Sequence, residues 1–226
     1  MCYAQTNQNY FDEREGGATN ELQTRRIPRH VWPCLTIMLL TQLLIFYPTR
    51  LLLPYLPQHS FETALDAAIP LRAEWIVVYY LTFVFWLASA VMLLAESHAY
   101  ARRMVKGYVI AMLVSCVIFM VWPTTLTRPV PPDTGVFNIL LAQLYQMDDP
   151  VHLFPSLHVL ITYFCIRAAM GSRIVPGWYF PVSWAFLVLV SLCILFVKQH
   201  VVADIPSGIL IGELSVRLAG LGKERE

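Results

Sequence analysis

Three long stretches of this chain carry no charge at all: Val31 to Thr49, Trp75 to Ala95 and Ile174 to Val197. A helix rises 1.5 Å per residue and the hydrocarbon layer of a bilayer is about 30 Å thick, so roughly 20 apolar residues in a row make a span. Helices apolar on every face belong in a bilayer or at the centre of a large core. Composition decides for the bilayer, since charged residues make up 14% of the 226 and hydrophobic ones 57%, against roughly a quarter charged in soluble domains. Gly107 to Trp122 is a shorter fourth run whose flanking Lys106 can snorkel to the boundary. Two further segments are apolar but interrupted: about Phe154 to Ala169 contains His158, and about Gln199 to Leu218 contains Asp204, Glu213 and Arg217. The expectation is an all-α polytopic membrane protein, a bundle of six transmembrane helices.

Basic residues test that count, because cytoplasmic segments collect them. With the amino terminus inside, six spans put Arg14, Arg25, Arg26, Arg29, Arg102, Arg103, Lys106, Arg167, Arg173, Arg217, Lys223 and Arg225 on one side; only Arg50, Arg72, Arg128 and Lys198 fall on the other. An odd number of spans spoils the division. Both termini are therefore expected in the cytoplasm, with residues 1–30 a disordered tail, 31–219 the six-helix domain and 220–226 a second tail. The first tail is rich in Asn, Gln, Glu and Gly and cannot bury a core. A formal net charge of +1 gives no reason to expect nucleic acid as a partner. Cys2, Cys34, Cys116, Cys165 and Cys193 lack the close pairs of a zinc site or redox motif. No GxGxxG and no phosphate-binding Gly-Lys-Ser/Thr loop occurs.

Two loops fall on the non-cytoplasmic side. The first, around Gln58 to Pro70, offers Ser60 as an N-cap for a short interfacial helix with Phe61, Ala64, Leu65 and Ala68 at helical spacing. The second, from Pro123 to about Leu153, is long and proline-rich, which marks a functional or disordered loop. Its Asp148 and Asp149 read as a solvated acidic pair and not as a metal site. On the last span, Gly208 and Gly212 form a small-x3-small pair suited to packing within the bundle, and Glu213 with Arg217 a local i, i+4 pair.

Three clusters at that face carry chemistry: Thr127-Arg128-Pro129, Phe154-Pro155-Ser156-Leu157-His158, and Lys198-Gln199-His200 with Asp204. Alone, each has a structural explanation: a headgroup anchor, an interfacial histidine, a buried hydrogen-bonded pair. Asp204 changes the balance, because a carboxylate inside a span is expensive unless partnered and so points to function. Together, two histidines, a carboxylate and two cations suit phosphoryl transfer. A histidine attacks phosphorus when a carboxylate holds its other ring nitrogen, as Asp204 can for His200, if the two share one helix face. A second histidine, His158, can protonate the departing oxygen and later deprotonate water. Arg128, Lys198 and the helix start at Ser156 supply cations and N–H donors for the phosphate oxygens.

Arg-Pro, Pro-Ser-x-His and His-x-x-x-Asp, in that order across six spans, resemble the motifs of the type 2 phosphatidic acid phosphatase superfamily of membrane lipid phosphatases. The resemblance covers roughly Gln58 to Gly212, with Leu65-Asp66 through Ile69-Pro70 and Tyr79-Tyr80 looking like an upstream feature of the family. It implies His200 as the nucleophile that forms a phosphohistidine, Asp204 as its partner, His158 as general acid, and Arg128, Ser156 and Lys198 as phosphate binders. It also implies a metal-independent reaction without cofactor, at the non-cytoplasmic face, on a lipid phosphate or diphosphate substrate. The chain departs from the pattern in two places. Val121 stands where the family has a lysine seven residues before the arginine, and Cys193 and Ile194 stand where it has Ser-Arg. Lys198 beside His200 resembles the branch that includes inositol phosphorylceramide synthase-like transferases. Hydrolase and head-group phosphotransferase share a phosphoenzyme, so the motifs leave both open, and the missing cations leave open a catalytically inactive membrane scaffold. Diacylglycerol, sphingoid and polyprenyl tails are equally compatible with the apolar helices.

Overall fold

The computed structural model describes residues 27–222. Most of the expected first tail, and residues 223–226 of the second, lie outside the described residues. The described chain is helical: α1 (Val31–Leu52), α2 (Ala64–Ala68), α3 (Ile76–Leu94), α4 (His98–Val121), α5 (Val136–Met147), α6 (Leu157–Met170), α7 (Tyr179–Phe196) and α8 (Asp204–Ala219). Among the described residues the only β-type pairings are isolated bridges joining His59, Thr124 and His152.

Four segments are long and apolar enough to cross a membrane: Val31–Tyr55, Ala73–Leu94, His98–Val121 and Tyr179–Phe196. Their outward positions are apolar, as at Leu44, Leu51, Val84, Leu87, Val117 and Val188, all exposed in the isolated chain. Bilayer hydrocarbon, not water, suits such a surface, and the protein is an integral membrane protein on that ground. Helices α6 and α8 have 14 and 16 residues and rise only about 21 and 24 Å. Protein encloses most of α6, where Leu160, Ile161, Phe164, Cys165 and Ala168 are all buried, whereas Leu210, Leu214 and Leu218 of α8 are exposed.

Helix α6 is the axis of the bundle, packed against α8, α7 and α3, while α1 packs on α4. The α6–α8 crossing is close because two glycines make it so. A Cβ on Gly208 would stand 2.7 Å from the Ser156 carbonyl oxygen and one on Gly212 3.0 Å from the Tyr163 ring. The small-residue pair therefore works within the bundle.

Charge separates to the two ends. At one end Arg167 and Arg217 converge on Glu213, at 2.7 and 2.6 Å, with the Tyr163 hydroxyl at 3.0 Å, so the expected i, i+4 pair is part of a larger cluster. Arg103 donates to the Gly220 carbonyl at the same end. Arg50, Arg128 and Lys198 gather at the other: Arg50 bonds to Asp149, Arg128 to the Lys198 carbonyl, and Lys198 to the Asp66 carbonyl of α2.

The structure corrects several sequence expectations. The third apolar helix starts at His98, not near Gly107, because Ser97 caps it by accepting from the Tyr100 N–H. The short loop helix is capped by Thr63, not Ser60: Thr63 and Asp66 form a reciprocal capping box, and the Ser60 hydroxyl bonds to Glu62 instead. The proline-rich loop holds a helix of its own, α5. Asp149 is not simply solvated, since it pairs with Arg50 at 3.1 Å.

Candidate active site

Side chains separated by dozens of residues meet where the starts of α6 and α8 cross. The Ser156 N–H donates to the Asp204 carbonyl at 3.3 Å, tying the two helix starts together. The turn before α8 is shaped at Lys198, whose φ of 50° is left-handed. Such a conformation is costly for a residue with a Cβ. It reverses the chain so that the N–H groups of Gln199 and His200 both donate to the Ile194 carbonyl, at 2.9 and 3.1 Å. His200 is thereby aimed back over the start of α6.

His200 Nδ1 lies 3.0 Å from Asp204 Oδ2, and the Val201 N–H donates to the same oxygen at 3.0 Å. The spacing of four arises across a turn, because α8 begins at Asp204 and His200 precedes it; the expected shared helix face is not the reason the pair meets. Asp204 is fully buried, and its Oδ1 has no hydrogen-bond partner among the described residues. A carboxylate at Nδ1 leaves Nε2 of His200 as the lone-pair nitrogen. That nitrogen faces His158 Nδ1 at 3.4 Å, with ring centroids 5.5 Å apart and the rings edge to face.

Aromatic rings of α3 wall in His158. Tyr79, Phe83 and Trp86 share one face of that helix and stand 4.7, 6.3 and 5.6 Å from the imidazole, centroid to centroid. Trp86 is held by donating its indole N–H to Thr162, whose hydroxyl donates to the His158 carbonyl at 2.7 Å. The signal for this wall was aromatic spacing of four and three residues in an apolar run, which sequence alone assigns equally well to core packing.

Arg128 reaches the site but is heavily committed. Its Nε donates to the Lys198 carbonyl at 3.2 Å, one terminal nitrogen to Gln199 Oε1 at 2.5 Å, and the other to the Asp148 carbonyl. The guanidinium lies 4.8 Å from the Tyr145 ring centroid. Three of five N–H donors are thus used, leaving two for an anion. Burial lowers the Arg128 pKa, opposed by the nearby Asp148 carboxylate. Burial raises the pKa of Asp148, opposed by Arg128 and His200. Asp148 is half-buried and shares a cavity of about 40 Å³ with Arg128, His158, Gln199 and His200.

Lys198 is turned aside, donating from Nζ to the Asp66 carbonyl at 2.8 Å. It borders a recess of about 270 Å³ lined by Glu62, Asp66, Thr127, Arg128 and His200 together with apolar residues such as Ile69, Leu126 and Leu195. Ser156 does not line either cavity. It is fully buried, and its hydroxyl caps α6 by accepting the Val159 N–H at 3.4 Å. The structure therefore brings His158, His200, Asp204 and Arg128 together, sets Lys198 beside them, and gives Ser156 a capping role.

Asp66 anchors the remaining side. It accepts from the Thr63 N–H and hydroxyl at 2.9 and 2.6 Å, and from the Val202 N–H at 2.7 Å, clamping α2 to the turn that carries His200. Burial pushes its pKa up, but these hydrogen bonds outweigh it and hold the carboxyl below its usual value. Among the described residues no group of three or more His, Cys, Asp or Glu could hold a metal ion. No family model, curated protein or solved structure matches the chain.

Proposed function

We propose that this protein is an integral membrane lipid phosphatase of the type 2 phosphatidic acid phosphatase superfamily, hydrolysing a lipid phosphate or diphosphate through a phosphohistidine on His200. The observation that carries the reading is the array Asp204 Oδ2, His200 Nδ1, His200 Nε2 and His158 Nδ1, with successive contacts of 3.0 and 3.4 Å across one ring. In the first step Nε2 of His200 bonds to phosphorus, the phosphorus–oxygen bond to the lipid breaks, and His158 gives its proton to the departing oxygen. In the second, His158 takes a proton from water, whose oxygen attacks phosphorus and releases His200. Asp204 stabilises the positive charge on the phosphorylated ring, and the two spare donors of Arg128 meet the phosphate oxygens.

In this reading α1, α3, α4, α6, α7 and α8 are six spans, both termini are cytoplasmic, and the histidine pair lies at the non-cytoplasmic boundary. The division of basic residues, twelve against four, supports it. A head-group phosphotransferase is the second reading, favoured by the recess beside His200, which is large enough for an alcohol that replaces water.

The test is phosphate release from a panel of lipid phosphates in detergent micelles containing a chelator, with and without alcohol acceptors. The wild type releases phosphate and His200→Ala does not. Radioactive label from the substrate phosphate appears on wild-type protein, accumulates in His158→Ala when the leaving group is activated, and never appears on His200→Ala. Label on His158 instead, or turnover with no label, overturns the assignment. An acceptor alcohol that discharges the label much faster than water selects the transferase.

A further inference from the structure

An apolar groove of about 350 Å³ runs from His158 between α1, α3 and α5, with Phe46, Tyr79, Phe83 and Trp86 along it. Asp148 and His158 lie at its polar end, and on α1 the polar side chain that lines it besides Tyr47 is Gln42. Gln42 of α1 accepts the Tyr108 hydroxyl of α4 on its Oε1 at 2.7 Å, a bond that fixes the amide and joins the two helices. The amide nitrogen has no partner among the described residues. Interhelical packing accounts for the oxygen of Gln42 but not for an N–H pair left in a lipid-facing groove, where unmet donors are costly.

Depth gives the amide a meaning. Phe46 borders both this groove and the small cavity holding His158, His200 and Arg128. Gln42 is one helical turn farther along α1, about 6 Å deeper. In a lipid phosphate whose phosphorus sits at His200, that level is reached a few bonds beyond the phosphate oxygen. Glycerolipids carry an ester carbonyl there and sphingoid lipids a hydroxyl, whereas a polyprenyl or simple alkyl phosphate has only carbon.

We infer that Gln42 reads an acceptor oxygen on the substrate's backbone, so that the site takes oxygen-bearing glycerolipid or sphingoid phosphates in preference to polyprenyl phosphates. This rests on the phosphatase reading for the placement of phosphorus. The test uses the full chain in micelles and two substrates of equal chain length, a 1-acyl glycerol 3-phosphate and an alkyl phosphate. Wild type favours the acyl substrate about tenfold in kcat/KM, the size expected of one hydrogen bond in a dry site. Gln42→Met erases the preference by slowing the acyl substrate alone. Tyr108→Phe breaks the same interhelical bond yet leaves the amide in place, and keeps the preference. Equal kcat/KM for the two substrates in wild type, or a loss in Gln42→Met shared equally by both, overturns the inference. Uncleavable phosphonate analogues of the same pair separate it from the catalytic reading. Tenfold tighter binding of the acyl phosphonate without turnover of either phosphate removes the phosphatase and leaves the groove assignment. Equal binding of the two phosphonates overturns the assignment whatever the turnover.

Discussion

The carboxylate of Asp204 is fully buried and, among the described residues, binds only the ring nitrogen of His200 and the Val201 N–H. Its contribution is therefore made through His200. Asp204→Asn preserves shape and can still accept both bonds, but it loses the charge that stabilises a phosphorylated imidazole in the proposed mechanism. The expected result is a fall in kcat of about 10³-fold or more with KM nearly unchanged, by analogy with amide replacement of the carboxylate in other His–Asp pairs. Steady-state kinetics on one lipid phosphate checks the split; a rise in KM at constant kcat contradicts it. A neighbouring histidine has a different fate. His152 stacks on Phe46 with centroids 5.1 Å apart, meets Phe119 edge-on, and bonds through Nε2 to Thr49 Oγ1 at 2.7 Å. Burial, aided by Arg50, pulls its pKa down to about 4. The unfolded chain, with a histidine near 6.5, takes up the proton first, so this stability is present above pH 6.5 and is lost as pH falls from 6.5 toward 4. The loss amounts to about 2 kcal/mol between pH 7 and pH 5. Melting of the detergent-solubilised protein across that window shows it, and His152→Gln flattens the slope.

At the scale of elements, the site depends on how closely α6 and α8 approach. A methyl group at position 208 meets the Ser156 carbonyl, the Leu160 N–H and the Val159 Cβ at once, at 2.7, 3.1 and 3.1 Å, and backbone cannot move aside as a flexible side chain does. Gly208→Ala is therefore expected to cost about 1–3 kcal/mol and to part the helix starts that carry His158 and His200. Activity falls further than stability. An unchanged kcat in a protein whose melting temperature drops shows that the histidine pair tolerates the shift. The residues that meet at this crossing were readable in the sequence because histidine, aspartate and arginine stand out in an apolar chain. Its geometry was not. The contact of His200 with Asp204 depends on a left-handed lysine before the helix, and spacing alone cannot distinguish a turn from a helix face. Helix α5 was masked by the prolines on either side of it, and Ser60 and Thr63 offer the same capping chemistry three residues apart. Only the Asp66 carboxylate, which closes the capping box and also holds the Val202 N–H, decides between them.

At the scale of the whole molecule, sidedness links the charge pattern to the proposed reaction. The bundle has one end where Arg103, Arg167 and Arg217 are engaged and another where Arg50, Arg128 and Lys198 surround the histidines. In the proposed reading a lipid phosphatase that works on one leaflet presents the second end to that leaflet, and the excess of basic residues near the first end predicts that this end faces the cytoplasm. Two exposed positions test this. Asp133 precedes α5 in the loop beside the site, and Arg102 lies near the start of α4 at the opposite end. In intact cells, with Cys2 and Cys116 replaced, Asp133→Cys is expected to react with an impermeant maleimide added outside, and Arg102→Cys only after permeabilisation. If the protein resides in an internal membrane, the same pair is read in sealed vesicles whose lumen corresponds to the outside. The reverse pattern would turn the bundle over and place the phosphohistidine chemistry on cytoplasmic-leaflet lipids. His158, His200 and Asp204 would keep their geometry, and only the leaflet that supplies the substrate would change.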